Sequence, residues 1–418
     1  MKEIIPIKKL NAKIMAPSSK SFANRALIVA SLADGKSVLE NVTFSDDTLY
    51  MIKALQCFGI DIITEHDKVI VNGTGGKLKI PNEPIFVGNA GTTMRFITAF
   101  ASLAGGKVVI TGDERMQERP IKELLDPLNH IGIKAYSEKN NGCPPVIVED
   151  GFLKGGNVNI HGNVSSQFVS AIMMISPLAK KEVTLNIVSE LTSKPYVDIT
   201  LDVMRAFGAD VDNKSYRHLK ISNNGYKPVN YFVEGDASSV SYFLAAAAIT
   251  KGTVRVTGLN PNSVQGDIKF ADILERMGCD VKKGDDFIEV KGSDLKGISV
   301  DMNSMPDTVQ TLAVVALFAD GKTEISNVAN LRLKETDRLK ALGNELRKLG
   351  ADIEELDDGI VIIPRELNGG IIDTYNDHRM AMSFAVAGLV IPNVKVLHPE
   401  CVSKSFPDFW EKFGELYG

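Results

Sequence analysis

The chain has 418 residues, 44% hydrophobic and 24% charged, with a net charge of −5. That length exceeds one ordinary core and predicts two domains. The acidic balance argues against a nucleic-acid binder, which needs a basic excess, so any anion site must be local.

The four cysteines (Cys57, Cys143, Cys279 and Cys401) are scattered without paired spacing, which disfavours a zinc site or a disulfide framework. The opening MKEIIPIKKL alternates like a strand and lacks the features of a signal or transit segment. No apolar run approaches the ~20 residues of a membrane span. A cytoplasmic protein is expected.

Roughly every 70 residues the chain repeats one unit, the signature of an internally repetitive fold. A small-residue apolar helix and then a strand run through 19–42, 91–112, 165–188, 237–259, 307–328 and 377–397, each followed by a second, amphipathic helix. Polar residues fall where the apolar helices begin, and helix N-termini favour anions. The first start, Pro17-Ser18-Ser19-Lys20-Ser21 with Asn24 and Arg25, puts cations where the macrodipole opposes them, so a ligand is the better explanation than a cap. It lacks the glycine pattern of a nucleotide P-loop.

The second start, Asn89-Ala90-Gly91-Thr92-Thr93-Met94-Arg95, repeats this logic with a glycine that lets a ligand approach the backbone. Arg115 and Arg119 follow on the next loop, where a charge run is as readily a solvated face. Ser165, Ser166 and Gln167 offer uncharged donors, of which plain capping explains one serine. Ser193-Lys194-Pro195-Tyr196 recurs on the equivalent later loop.

The second half adds carboxylates. Asp307 opens an apolar helix, where capping and chemistry are both open readings. Glu335 and Arg338 share a helical face, a spacing that usually means a solvated ion pair. Leu339, Leu342, Leu346 and Leu349 form a stripe that stops at Gly350. His378 and Arg379 open the last apolar helix, and Lys404 lies beyond it; a lone histidine is more often structural. The apolar helices, such as Val240–Ala248, have no polar face and must be buried. A helical centre with sheets outside and three units per domain follows. The expected domains are 14–233 and 1–13 plus 234–418. Many cations with two acid/base carboxylates suit a reaction between anionic substrates.

In these motifs (PSSKSFANR, NAGTTMR, RMQERPI, SSQF, SKPY, LKETDRL, YNDHRMAM, SKSFPDF) the chain closely resembles the 5-enolpyruvylshikimate-3-phosphate synthase family along its whole length. The resemblance implies an α/β fold, a two-domain inside-out barrel of six repeated units with buried helices and outer sheets. It implies enolpyruvyl transfer from phosphoenolpyruvate to the 5-hydroxyl of shikimate 3-phosphate, with no cofactor or metal, in a cytoplasmic monomer with neither nucleic-acid nor membrane partners.

By matching positions, shikimate 3-phosphate would contact Lys20, Ser21, Arg25, Ser165, Ser166, Gln167, Ser193, Asp307, Asn330 and Lys334. Phosphoenolpyruvate would contact Lys20, Gly91, Arg119, Gln167, Arg338, Arg379 and Lys404. Asp307 would be the base on the 5-hydroxyl and Glu335 the acid at the methylene carbon, with Lys20 also catalytic. Glu335 would then need to hold a proton near neutral pH, which burial or nearby negative charge favours.

Three positions depart from the common pattern: Ser18 for glycine, Thr93 for alanine and Phe96 for proline. The sister family that transfers enolpyruvate to a UDP-sugar carries a cysteine on the loop corresponding to 111–120, and none occurs here. A non-catalytic phosphometabolite-binding protein would have no use for Asp307 and Glu335. Because charge-assisted bonds to anions are worth ~1.5–3 kcal/mol each, the two substrates together should contract the protein. Small-angle scattering unchanged at saturating ligand would contradict that.

Overall fold

Small side chains decide where the helices go. In the computed structural model, which describes residues 1–149 and 151–418, the uncharged stretch Ala237–Thr250 is a helix buried along all but its last residue. With no polar face it must be surrounded, and it packs against helices Val309–Ala316 and His378–Gly388, which also pack on each other. Alanines 245–248 allow that close approach. Hydroxyls meet between the three helices: Ser241 Oγ lies 3.1 Å from Thr311 Oγ1, which lies 3.4 Å from Ser383 Oγ. These three hydroxyls thereby find partners inside a largely apolar core.

A second core is built the same way from helices Lys20–Leu32, Gly91–Ala101 and Ser166–Ile175, again packed pairwise. The chain divides accordingly into two compact units, Ser18–Val233 and Met1–Pro17 with Glu234–Gly418. The first crossing falls after Pro17 rather than near residue 13. The reason is that strand Asn11–Met15 pairs in parallel, along its whole length, with Thr253–Thr257. Lys2–Glu3 pairs antiparallel with Lys395–Val396, so the N-terminal segment serves two sheets of the later unit.

Several sheets contain a parallel pair of strands joined across one apolar helix. Gly156–Ile160 runs parallel to Val183–Ile187, and helix Ser166–Ile175 lies between them in sequence, as a parallel pair requires. Val183–Ile187 then pairs antiparallel with His218–Ile221, itself paired with Val211–Lys214. The same strand order recurs in the other four-stranded sheets. Alternation such as the inward Val183, Leu185 and Ile187 turns one face of the strand to the core.

Amphipathic helices sit between the second and third strands of these sheets. Arg338–Lys348 is one; it buries Leu339, Leu342 and Leu346 and ends at Leu349. Gly350 follows at φ +102°, and a Cβ there would lie 2.3 Å from the Glu366 carbonyl oxygen. The same stop recurs at Gly59, Gly132, Gly208 and Gly278. Gly350→Ala should cost at least ~1–3 kcal/mol in backbone strain, read as a lower melting temperature; unaltered melting would contradict the close approach.

Candidate active site

In the Ser18–Val233 unit the candidate residues sit where the apolar helices begin. Lys20 opens its helix and pairs with Asp47 through Nζ–Oδ2 at 2.8 Å. Asp47 lies in the first turn of helix Asp46–Cys57, capped by Ser45. Its backbone carbonyl accepts from Thr93 Oγ1 at 3.4 Å, which ties Lys20 to the Gly91–Ala101 helix. Gly91 is needed because the Arg119 guanidinium lies over it: a Cβ would sit 2.5 Å from Nη2. Arg119 Nη1 donates to Asn89 Oδ1 at 2.9 Å, and the side chain is 5% exposed. The charge run at 113–119 therefore splits. Arg115 pairs with Glu118 near the surface, while Arg119 turns inward.

Gln167 Nε2 donates to Thr92 Oγ1 at 3.2 Å, and Ser165 caps the helix by accepting from the Gln167 amide. Ser166 beside them is buried. Arg25 is buried too, bonded from Nε to Thr200 Oγ1 at 2.7 Å and to the carbonyls of Ser21 and Tyr196. Burial pulls its pKa down to about 10. Ser193, at φ +54°, leads through Lys194 into the helix that carries Tyr196 and Thr200. The three departures from the family pattern fall on these contacts. Ser18 Oγ bonds Thr43 Oγ1 at 2.8 Å, Thr93 reaches Asp47, and the Phe96 ring lies 5.2 Å from the Arg25 guanidinium carbon.

In the other unit a buried guanidinium organises the carboxylates. Arg338, 1% exposed, hydrogen-bonds Asp377 through Nε at 2.7 Å and Asp307 through Nη1 at 3.2 Å, and forms an ion pair with Glu335, Nη2 lying 2.8 Å from Oε2. Burial alone would lower its pKa; Asp377, Glu335 and Asp307 reverse that and push it up. Asp307 also takes Arg379 Nη2 at 2.7 Å, and Arg379 Nη1 reaches Tyr242 Oη at 3.3 Å. Burial drives the Tyr242 phenol up to about 12.

Asp377 caps its helix by accepting from the Arg379 amide at 2.9 Å. His378 is buried, its Nδ1 3.6 Å from Asp377 Oδ1. Asn330 and Lys334 lie on and just after the 3-10 helix Ala329–Leu333, immediately before Glu335. Lys404 ends the 3-10 helix Pro399–Lys404, which packs on helix His378–Gly388.

Spacing left capping and chemistry both open for Asp307 and favoured a solvated pair for Glu335 and Arg338. Asp307 lies in a 3-10 turn, Pro306–Thr308, and its oxygens go to two arginines instead of capping the helix. The Glu335–Arg338 pair is buried rather than solvated, because Arg338 also faces Asp377 across the core. Sequence reasoning missed Asp47, Asn89, Thr200, Tyr242 and Asp377 as partners. Asp47 and Asp377 could have been found as acidic residues at helix starts; Thr200 and Tyr242 carry no local signal.

Carboxylates held by buried guanidinium groups characterise one unit, and cations with hydroxyl and amide donors at helix starts the other, in a chain of mixed α/β class. The sequence matches the EPSP synthase (3-phosphoshikimate 1-carboxyvinyltransferase) family over residues 4–413, and the chain belongs to that family. It is 49% identical over 419 residues to the 3-phosphoshikimate 1-carboxyvinyltransferase of Yersinia pestis bv. Antiqua (strain Angola), covering 98% of this chain and 97% of that protein. The enzyme of the same name from Aliivibrio salmonicida (strain LFI1238) is 47% identical, with 98% of each covered. An EPSP synthase structure from Acinetobacter baumannii superposes with a TM-score of 0.82 at 28% identity, covering 99% of this chain and 97% of that one.

Removing one partner from a buried ion pair costs ~3–5 kcal/mol because the other charge is left uncompensated. Glu335 and Asp307 remain beside Arg338, so Asp377→Ala should fall at the lower end of that range, and denaturant unfolding within error of wild type would contradict it.

Proposed function

We propose that this chain transfers the enolpyruvyl group of phosphoenolpyruvate to the 5-hydroxyl of shikimate 3-phosphate and releases phosphate, a step of the shikimate pathway toward chorismate and the aromatic amino acids. The observation that carries the reading is Asp307 between Arg338 and Arg379, with Glu335 on the same Arg338, in a chain that matches the family over nearly its full length.

In this reading Asp307 takes the proton of the 5-hydroxyl as its oxygen attacks C2 of phosphoenolpyruvate. Glu335 delivers a proton to the methylene carbon, giving a tetrahedral intermediate. The bond from C2 to the phosphate oxygen then breaks, the leaving phosphate takes up the proton that Asp307 had accepted, and the new methyl group returns a proton to Glu335, so both carboxyl groups are reset. Each step balances without a redox partner. The cations set the charge: Lys20, Arg119, Arg338, Arg379 and Lys404, with Gly91 and Gln167, serve the carboxylate and phosphate of phosphoenolpyruvate. Lys20, Ser21, Arg25, Ser165, Ser166, Gln167, Ser193, Asp307, Asn330 and Lys334 serve shikimate 3-phosphate.

A substrate anion that takes over Arg379 removes a cation from Asp307 and makes it a better base. Binding and proton abstraction are linked in that way. Five four-stranded sheets of one strand order and two sets of three apolar helices support a two-domain inside-out α/β barrel of six units. The reading takes the enzyme as a cytoplasmic monomer; among the described residues no helix is long and apolar enough to cross a membrane.

Phosphate release from phosphoenolpyruvate in the presence of shikimate 3-phosphate tests the activity. Asp307→Ala and Glu335→Ala should each lose about a hundredfold or more in turnover, with shikimate 3-phosphate affinity changed far less by calorimetry. Near-normal turnover in both would overturn the assigned roles.

A further inference from the structure

Asp307 stands under opposing demands. Arg338 and Arg379 stabilise its charge, and a carboxylate so stabilised is a weak proton acceptor. A counterweight lies on the 3-10 helix Gly266–Lys269, which packs against the 3-10 helix Pro306–Thr308 that carries Asp307. Asp267 on that turn is 5% exposed. Its Oδ2 accepts from Ser238 Oγ at 2.5 Å, and Ser238 lies in the first turn of helix Ala237–Thr250.

Burial, then the neighbouring Asp307, push the Asp267 carboxyl up to about 7; Ser238 and Arg379 oppose that, and Asp236 adds to it. A group whose folded pKa lies above its unfolded value makes the fold less stable as pH rises through that range. Ionised Asp267 therefore weakens the fold at neutral pH and above, and a neutral side chain of the same shape would serve packing better.

We propose that Asp267 is a positioning residue for the transfer reaction, a buried carboxylate whose negative charge raises the basicity of Asp307 against Arg338 and Arg379. The interaction between two carboxylates is mutual: each makes the other hold a proton more readily. On acidification Asp267 takes up a proton, its charge vanishes and Asp307 becomes a poorer base. This rests on the reading of Asp307 as the base toward the 5-hydroxyl.

The test compares wild type, Asp267→Asn and Ser238→Ala in phosphate-release kinetics with shikimate 3-phosphate and phosphoenolpyruvate from about pH 5.5 to about 9, alongside thermal unfolding over the same range. Asp267→Asn should lower kcat about three- to tenfold, with both KM values within about twofold. It should flatten the fall in kcat on acidification through neutrality while melting higher than wild type at alkaline pH. Ser238→Ala, which removes the hydroxyl that favours the ionised form, should move that fall to higher pH.

Wild type without phosphate release would overturn the functional reading, and the inference with it. An active wild type with Asp267→Asn at wild-type kcat and an unaltered pH profile would overturn the inference alone. So would a loss of kcat accompanied by lower melting at every pH, which marks a purely structural role. If Asp267→Asn fails to fold, an unshifted pH profile in Ser238→Ala overturns the proposal.

Discussion

The later unit depends on one buried cation. Arg338 is 1% exposed and faces three carboxylates from three different segments: Asp307, Glu335 and Asp377. An isolated charge at that depth would cost several kcal/mol, so its partners must arrive together when the core forms. The consequence is geometric. The 3-10 turn at 306–308, the turn before helix Arg338–Lys348 and the start of helix His378–Gly388 are fixed relative to one another by a planar fork with set directions. The candidate base, the candidate acid and Arg379 are thereby held in one arrangement before any substrate arrives.

Charge within this cluster is deliberately unbalanced. Asp307, Glu335 and Asp377 face Arg338 and Arg379, and Asp267 and Asp236 add negative charge from neighbouring elements. Such an excess favours keeping a proton on one of the carboxyl groups, the condition that a reaction beginning with one acid and one base requires. The Ser18–Val233 unit follows another rule. There Lys20 meets Asp47, Arg119 meets Asn89, and Arg25 meets a hydroxyl and two carbonyls.

The apolar helices make both arrangements possible. Ala237–Thr250 and its counterparts are buried along nearly their whole length, and the residues at their N-termini occupy fixed positions. Lys20, Gly91, Ser166 and His378 each open such a helix, and Asp307 lies in the turn before one. Rigid starts of helices are better platforms for a site than loops, since packing on all sides leaves them little freedom.

Periodicity, composition and helix-start chemistry in the sequence were enough to place the buried helices, the glycine stops after amphipathic helices such as that at Gly350, and the polar clusters at helix starts; the full set of candidate residues and their roles came from the family resemblance. These signals are local: an apolar run or a cap acts within a few residues of itself. The motifs together were enough for the family as well. What only the tertiary structure decided is which way each charge turns and what it meets. Arg115 and Arg119 look alike in the chain, yet one pairs near the surface and the other lies over Gly91. Asp307 could have capped a helix and instead meets arginines 31 and 72 residues away. Asp267 is not singled out in the sequence at all; it is buried on a segment that packs against that of Asp307. Electrostatic partners are set by distance through space, and a one-dimensional pattern carries no such distances.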